Sequence, residues 1–168
     1  HHCMGALSGC VSAEVLAEKL GSDFDFTLYR LEVIRYNRLS DTQNLDFRVI
    51  GGFSDAPLPR QRLLHTGAIG ALRGYDPNRF MGDNILAVNV EYKTRREFVR
   101  PSKGISAQGT ASLFVDIGDT WFDNENFELN RLHTSIGIGF SISTNTTKTS
   151  DASNALRVEI VRALQKQH

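Results

Sequence analysis

Histidine and cysteine gather at the start of the chain, as His1, His2, Cys3 and Cys10. Imidazole and thiolate are the donors a zinc site uses, and two cysteines this close fit either a disulfide or two free thiols. A histidine pair at a chain start is better explained as a solvated end, so none of the four is assigned a role. Ser8, in Gly5-Ala6-Leu7-Ser8-Gly9, stands one place late for a G-x-S-x-G nucleophile elbow and lacks a strand-turn-helix setting. Leu7-Ser8-Gly9-Cys10 matches a lipoprotein cleavage box, but no basic and apolar leader precedes it. His65 and His133 have no second ligand at a metal spacing, and no P-loop or triad spacing occurs. The expectation is a protein that is not an enzyme and uses no cofactor or metal.

The charged residues are distributed in a different way, as the polar half of an alternation. From Ile85 onward, Leu86, Val88, Val90 and Tyr92 point to one side and Ala87, Asn89, Glu91 and Lys93 to the other. Similar runs span about Asp25 to Arg38, Asn44 to Phe53, Ile105 to Gly118, Thr134 to Ser143 and Ala155 to Leu164. A weaker one spans Ala6 to Leu20, of which Ala13 to Leu20 fits two helical turns equally well. Seven strands and almost no helix are therefore expected. Gly21-Ser22-Asp23 and Ser40-Asp41-Thr42 supply turns, and Asn145-Thr146-Thr147 is read as a turn rather than a glycosylation site. One connection, residues 54–83, is long and holds three of the four prolines; a loop of that length is uncommon without a task.

Composition narrows the class. The chain has 168 residues, with 19 basic and 19 acidic side chains that cancel, so a nucleic-acid partner is not expected. No apolar run approaches the roughly 18 to 20 residues of a helical membrane span, which leaves β-strand crossing open. The polar face carries Arg30, Glu32, Asp46, Arg48, Glu91, Lys93, Asp116, Arg157 and Glu159 at mid-strand. A dry core cannot take so many charges, since each costs several kcal/mol unless paired. A wet lumen can. Strand lengths exceed or match the roughly 9 to 11 tilted residues that cross a bilayer. A transmembrane barrel, oily outside and polar inside, is favoured over a soluble sandwich. A soluble ligand-binding barrel of the lipocalin kind, with its oily face inside, stays as an alternative.

Gly70-Ala71-Leu72-Arg73-Gly74-Tyr75 resembles the signature of the BamA/TamA superfamily of outer-membrane proteins, the bacterial surface antigen family. That signature is a (V/L)-R-G-(F/Y) tetrapeptide, here Leu72 to Tyr75, at the tip of a long loop folded into the barrel lumen. Gly67 and Gly70 precede it, and Arg79-Phe80-Met81-Gly82 and a strand ending Asn89-Val90-Glu91-Tyr92 follow. A second family motif, F-x-D-x-G, stands at Phe114-Val115-Asp116-Ile117-Gly118, with Trp121 after it. The similarity runs from about Ser22 to Leu164.

The resemblance implies that the chain is all-β, with residues 1–168 as the C-terminal part of an antiparallel up-and-down transmembrane barrel, about seven strands of sixteen, and residues 54–83 as the lumen loop. It implies that Arg73 reaches across the lumen to Asp116, with Glu91 as a second possible partner. Gly74 would allow a tight turn and Tyr75 would pack on the wall, while Leu72, Phe114 and Gly118 support the two motifs. The implied function is assembly, insertion or secretion of proteins at the outer membrane of a Gram-negative bacterium. The implied partners are outer-membrane lipid, unfolded β-barrel or secreted clients, the remaining barrel strands and periplasmic POTRA repeats. An alternative from the same resemblance is the membrane anchor of a patatin-like phospholipase with its catalytic domain upstream. The family's final aromatic-ended strand has no counterpart at Gln165-Lys166-Gln167-His168.

Overall fold

The computed structural model describes residues 2–4, 9–19, 25–66, 71–76, 79–100, 105–146 and 153–164. It is all-β. The strands are β1 (His2–Met4), β2 (Gly9–Lys19), β3 (Asp25–Arg38), β4 (Gln43–Ser54), β5 (Leu64–His65), β6 (Met81–Gly82), β7 (Asn84–Arg100), β8 (Ile105–Trp121), β9 (His133–Thr146) and β10 (Ser153–Leu164). All except β5 and β6 form one antiparallel up-and-down sheet in the order β1-β2-β3-β4-β7-β8-β9-β10, and the two short strands pair with each other inside the long connection. The sheet is open: β1 and β10 are its two ends.

The seven expected strands are β2, β3, β4, β7, β8, β9 and β10. Gly9–Lys19 pairs with β3 along its whole length, so the helical alternative for Ala13 onward gives way to a strand. Partnering decides this, because alternation that is weak within one strand is still fixed by the ladder of its neighbour. The cleavage-box residues Leu7 and Ser8, the expected turn Gly21-Ser22-Asp23, the glycines Gly67 and Gly70, Thr147 and residues 165–168 lie outside the described residues, while Asn145 and Thr146, expected in a turn, continue β9 because β8 and β10 both pair with Asn145. Cys3 and Cys10 are register partners in the β1–β2 pair.

Strand parity sorts the side chains into two faces. Glu32, Arg48, Asp46, Asn89, Glu91, Lys93, Asp116, Ser135, Gly137, Glu159 and Arg157 share one face. A cavity of about 350 Å³ touches both Glu32 on β3 and Arg157 on β10, strands that a flat sheet would hold roughly 24 Å apart. The sheet therefore curls around its ionic face. The loop over residues 55–83 covers one end of that concave face. There Leu58 packs with Phe26 and Leu28 of β3, and Ala71 packs with Ile50 and Ala87.

The opposite face is apolar and open. Leu31, Val49, Leu113, Ile138, Phe140, Ile142, Leu156, Val158 and Ile160 are all exposed, Ile160 and Leu156 to about two-thirds of their surface (66% and 68%). These residues form a slanted band. Following the register, Leu31 at its centre on β3 is level with Asp119 of β8, whereas Val158 at its centre on β10 is level with Ala111. The band thus shifts by roughly one to two residues per strand. With about 3.3 Å of rise and about 4.8 Å between strands, the strands cross it at roughly 45°. Polar residues bound it on the same face, with Asp119, Thr134 and Arg162 beyond one edge and Arg35, Thr94 and Arg96 beyond the other.

Connections differ between the two ends of the sheet. Residues 5–8, 39–42, 101–104 and 147–152 join strands at one end, while residues 20–24, 55–83 and 122–132 join them at the other. The two long connections are tied together by Asp83, which is buried and accepts hydrogen bonds from Leu58 N at 2.7 Å and Asp123 N at 2.9 Å. Asp83→Ala would take the acceptor from both loops and strand the buried Leu58 N–H, which costs about 1 to 3 kcal/mol when unsatisfied. A drop of that order in unfolding free energy, with faster proteolytic cutting of both loops, is the expected result in a combined denaturation and proteolysis experiment.

Candidate functional site

The site is the loop tip, residues 71–76, seated on the concave face over β7, β8, β9 and β10. Gly74 has φ of 85°, a conformation open to glycine and strained for other residues. That turn sends Arg73 and Tyr75 to different parts of the sheet. Ala71 N bonds Thr66 O at 2.8 Å and holds the base of the tip, while Leu72 is buried beside it.

Arg73 and Asp116 are in contact. Arg73 Nε donates to Asp116 Oδ2 at 2.9 Å and Arg73 Nη2 to Asp116 Oδ1 at 2.8 Å, the two-pronged geometry a planar guanidinium offers a carboxylate. The Arg73 backbone N–H adds a third bond to Oδ2 at 3.1 Å. Asn89, the register partner of Asp116, donates Nδ2 to Asp116 Oδ1 at 2.9 Å and to Ala71 O at 2.7 Å. Ser135 Oγ lies 3.4 Å from Oδ2. Asp116 has no exposed surface, so these donors replace the water that a free carboxylate would keep.

The guanidinium is also held from the sides. It lies 3.4 Å from the centroid of the Phe114 ring, a cation–π contact. Its Nη1 is 3.4 Å from Glu91 Oε2 and 3.7 Å from Glu159 Oε1. Burial alone would lower the Arg73 pKa. The hydrogen bond and charge of Asp116, with Glu91 and Glu159, outweigh burial and raise it.

A glycine on the concave face of β9 makes room for a ring from β8. Phe114 lies opposite Gly137 in the β8–β9 register, and a Cβ on Gly137 would fall 2.4 Å from Phe114 Cζ. The ring enters the gap, and Arg73 then stacks on the ring. Gly118 answers to a close approach of β7, since a Cβ there would meet Leu86 O at 2.8 Å.

Tyr75 is buried, with its hydroxyl 2.9 Å from Thr134 O and 3.3 Å from Leu164 O. Its ring meets Phe80 edge-on, and Phe80 stacks on His133 with centroids 3.9 Å apart. His133 thus packs on the loop, with its Nε2 3.8 Å from Asp119 Oδ1. Among the described residues no group of three or more His, Cys, Asp or Glu could hold a metal ion.

Below the tip, Arg48 Nε donates to Glu32 at 2.6 Å and Lys93 Nζ to Asp46 at 2.8 Å. Arg157 reaches Glu91 at 3.2 Å and pairs with Glu159. Asn89 Oδ1 and Asp46 Oδ1 have no partner among the described residues, and both residues line the cavity. Such a space suits bound water better than an apolar ligand.

Asn89, Ser135, Glu159 and Asp83 were not singled out from the sequence as site residues. Ser135 and Glu159 are visible there only as members of a polar alternation, and Asn89 also as part of the strand that follows the loop motif. Cross-strand register makes Asn89 and Ser135 neighbours of Asp116, and the curl of the sheet brings Glu159 to Arg73. Arrangement and sequence together describe a loop tip locked on a curved ionic sheet. No protein-family model matches the chain, and no curated protein matches it.

Proposed function

We propose that the chain is the C-terminal part of an outer-membrane β-barrel of the BamA/TamA type, acting in the assembly, insertion or secretion of proteins at the outer membrane of a Gram-negative bacterium. The observation that carries the membrane reading is the inverted sheet. Its concave face is ionic and capped by a loop, and its convex face is an exposed apolar band. A soluble lipocalin-like barrel has these faces the other way round. The crossing angle of roughly 45° between strands and band agrees with the tilt of about 35 to 45° found in membrane barrels. The two longest connections, residues 55–83 and 122–132, leave the same end of the sheet, as the longer extracellular loops of membrane barrels do. The assembly role rests on the resemblance of Leu72 to Tyr75 and Phe114 to Gly118, whose Arg73 and Asp116 are in contact.

The membrane reading is tested by fluorescence in vesicles with brominated acyl chains. In a Trp121→Phe background, Phe140→Trp on the apolar band should be quenched. Leu129→Trp, in the 122–132 connection, should not. Equal quenching at both positions, or release of the chain by a urea wash, would refute a spanning sheet. The assembly reading is tested separately. Vesicles carrying the full chain should speed the folding of a urea-unfolded outer-membrane barrel relative to empty vesicles, and equal rates would overturn that role.

A further inference from the structure

Three consecutive residues of the loop tip touch β10, the end strand of the sheet. The Tyr75 hydroxyl faces Thr134 O and Leu164 O, and Thr134 and Leu164 form the last rung of the β9–β10 ladder. Gly74 lies so close to β10 that a Cβ would come 2.6 Å from Val161 Cγ1 and 3.7 Å from Ala163 N. Arg73 approaches Glu159 at 3.7 Å. β10 has a single strand neighbour, β9, among the described residues. A strand held by one ladder opens from its end unless something else holds it, and here the loop tip supplies the second hold.

We infer that the loop tip is a clasp for β10, so that seating of the loop on the ionic face and closure of the β9–β10 ladder are one coupled equilibrium. Arg73 ties the tip to β7 and β8 through Glu91 and Asp116, and Tyr75 carries that tie to the end of the ladder. Coupling of this kind is reciprocal. Drawing the tip off Asp116 loosens β10, and fixing β10 holds the tip down. The clasp concerns contacts within the chain and does not depend on the membrane reading.

Hydrogen exchange on the full chain in detergent micelles tests it, with Tyr75→Phe as the variant that removes one hydroxyl and keeps the ring on Phe80. Amides of residues 160–164 and 134–138 should exchange about tenfold faster, the scale of one net hydrogen bond. Amides of residues 85–92 and 113–118 should keep their wild-type rates. Gly74→Ala, strained at positive φ and crowded against Val161, should give the same pattern. Unchanged exchange in β10 of the Tyr75→Phe chain would overturn the clasp. Equal acceleration in every strand, in either variant, would also overturn it by assigning the effect to general stability.

Discussion

Arg73→Ala is expected to destabilise the seated loop by about 3 to 5 kcal/mol, because it leaves Asp116 as a fully buried charge without a counter-ion. Asp116→Ala should be milder, about 1 to 3 kcal/mol, since Arg73 keeps Glu91, Glu159 and the Phe114 ring. The double substitution removes both charges together and should fall well short of the sum, with a coupling of about 1 to 3 kcal/mol. Urea unfolding of the four proteins in micelles measures the cycle. Additive losses would mean that the pair, despite its geometry, contributes no mutual stabilisation.

The second large effect is expected at Phe114. The ring is buried, fills the gap above Gly137 and supports the guanidinium, so Phe114→Ala should lose about 3 to 5 kcal/mol. Gly137→Ala should lose about 1 to 3 kcal/mol by overpacking. Its new Cβ meets both the ring and, at 2.8 Å, the backbone oxygen of Ile160. With the ring gone that Cβ has room on one side, so Phe114→Ala/Gly137→Ala should be less damaging than the two losses added. Thermal unfolding of the three variants against the parent distinguishes this cross-strand fit from two unrelated packing defects.

Period-two alternation made the strands legible because each has one oily and one ionic side, and a slip of one residue would exchange them. Leu86 to Lys93 is the clearest case. Its strand continues to Arg100, past the point where Thr94-Arg95-Arg96-Glu97 stops alternating, because β8 supplies partners as far as Ile105. β1, β5 and β6 are too short to show any period. Of the site, Arg73, Gly74, Tyr75 and Asp116 were reachable from the two motifs, and Glu91 from the strand that follows the first. Asn89 and Ser135 depend on register, and Glu159 on curl. Phe114 was noted as part of a motif, but its lodging over Gly137 follows from two residues 23 positions apart meeting across a rung, which local sequence does not encode.

The sharing of carboxylates under the loop decides how hard the loop is to lift. Glu91 lies within reach of Arg73, Lys93 and Arg157, and Glu159 within reach of Arg73 and Arg157. If Arg73 leaves, both glutamates still have a cation beside them. Asp116 alone is left without one. The ionic part of the resistance to lifting is therefore concentrated at one carboxylate.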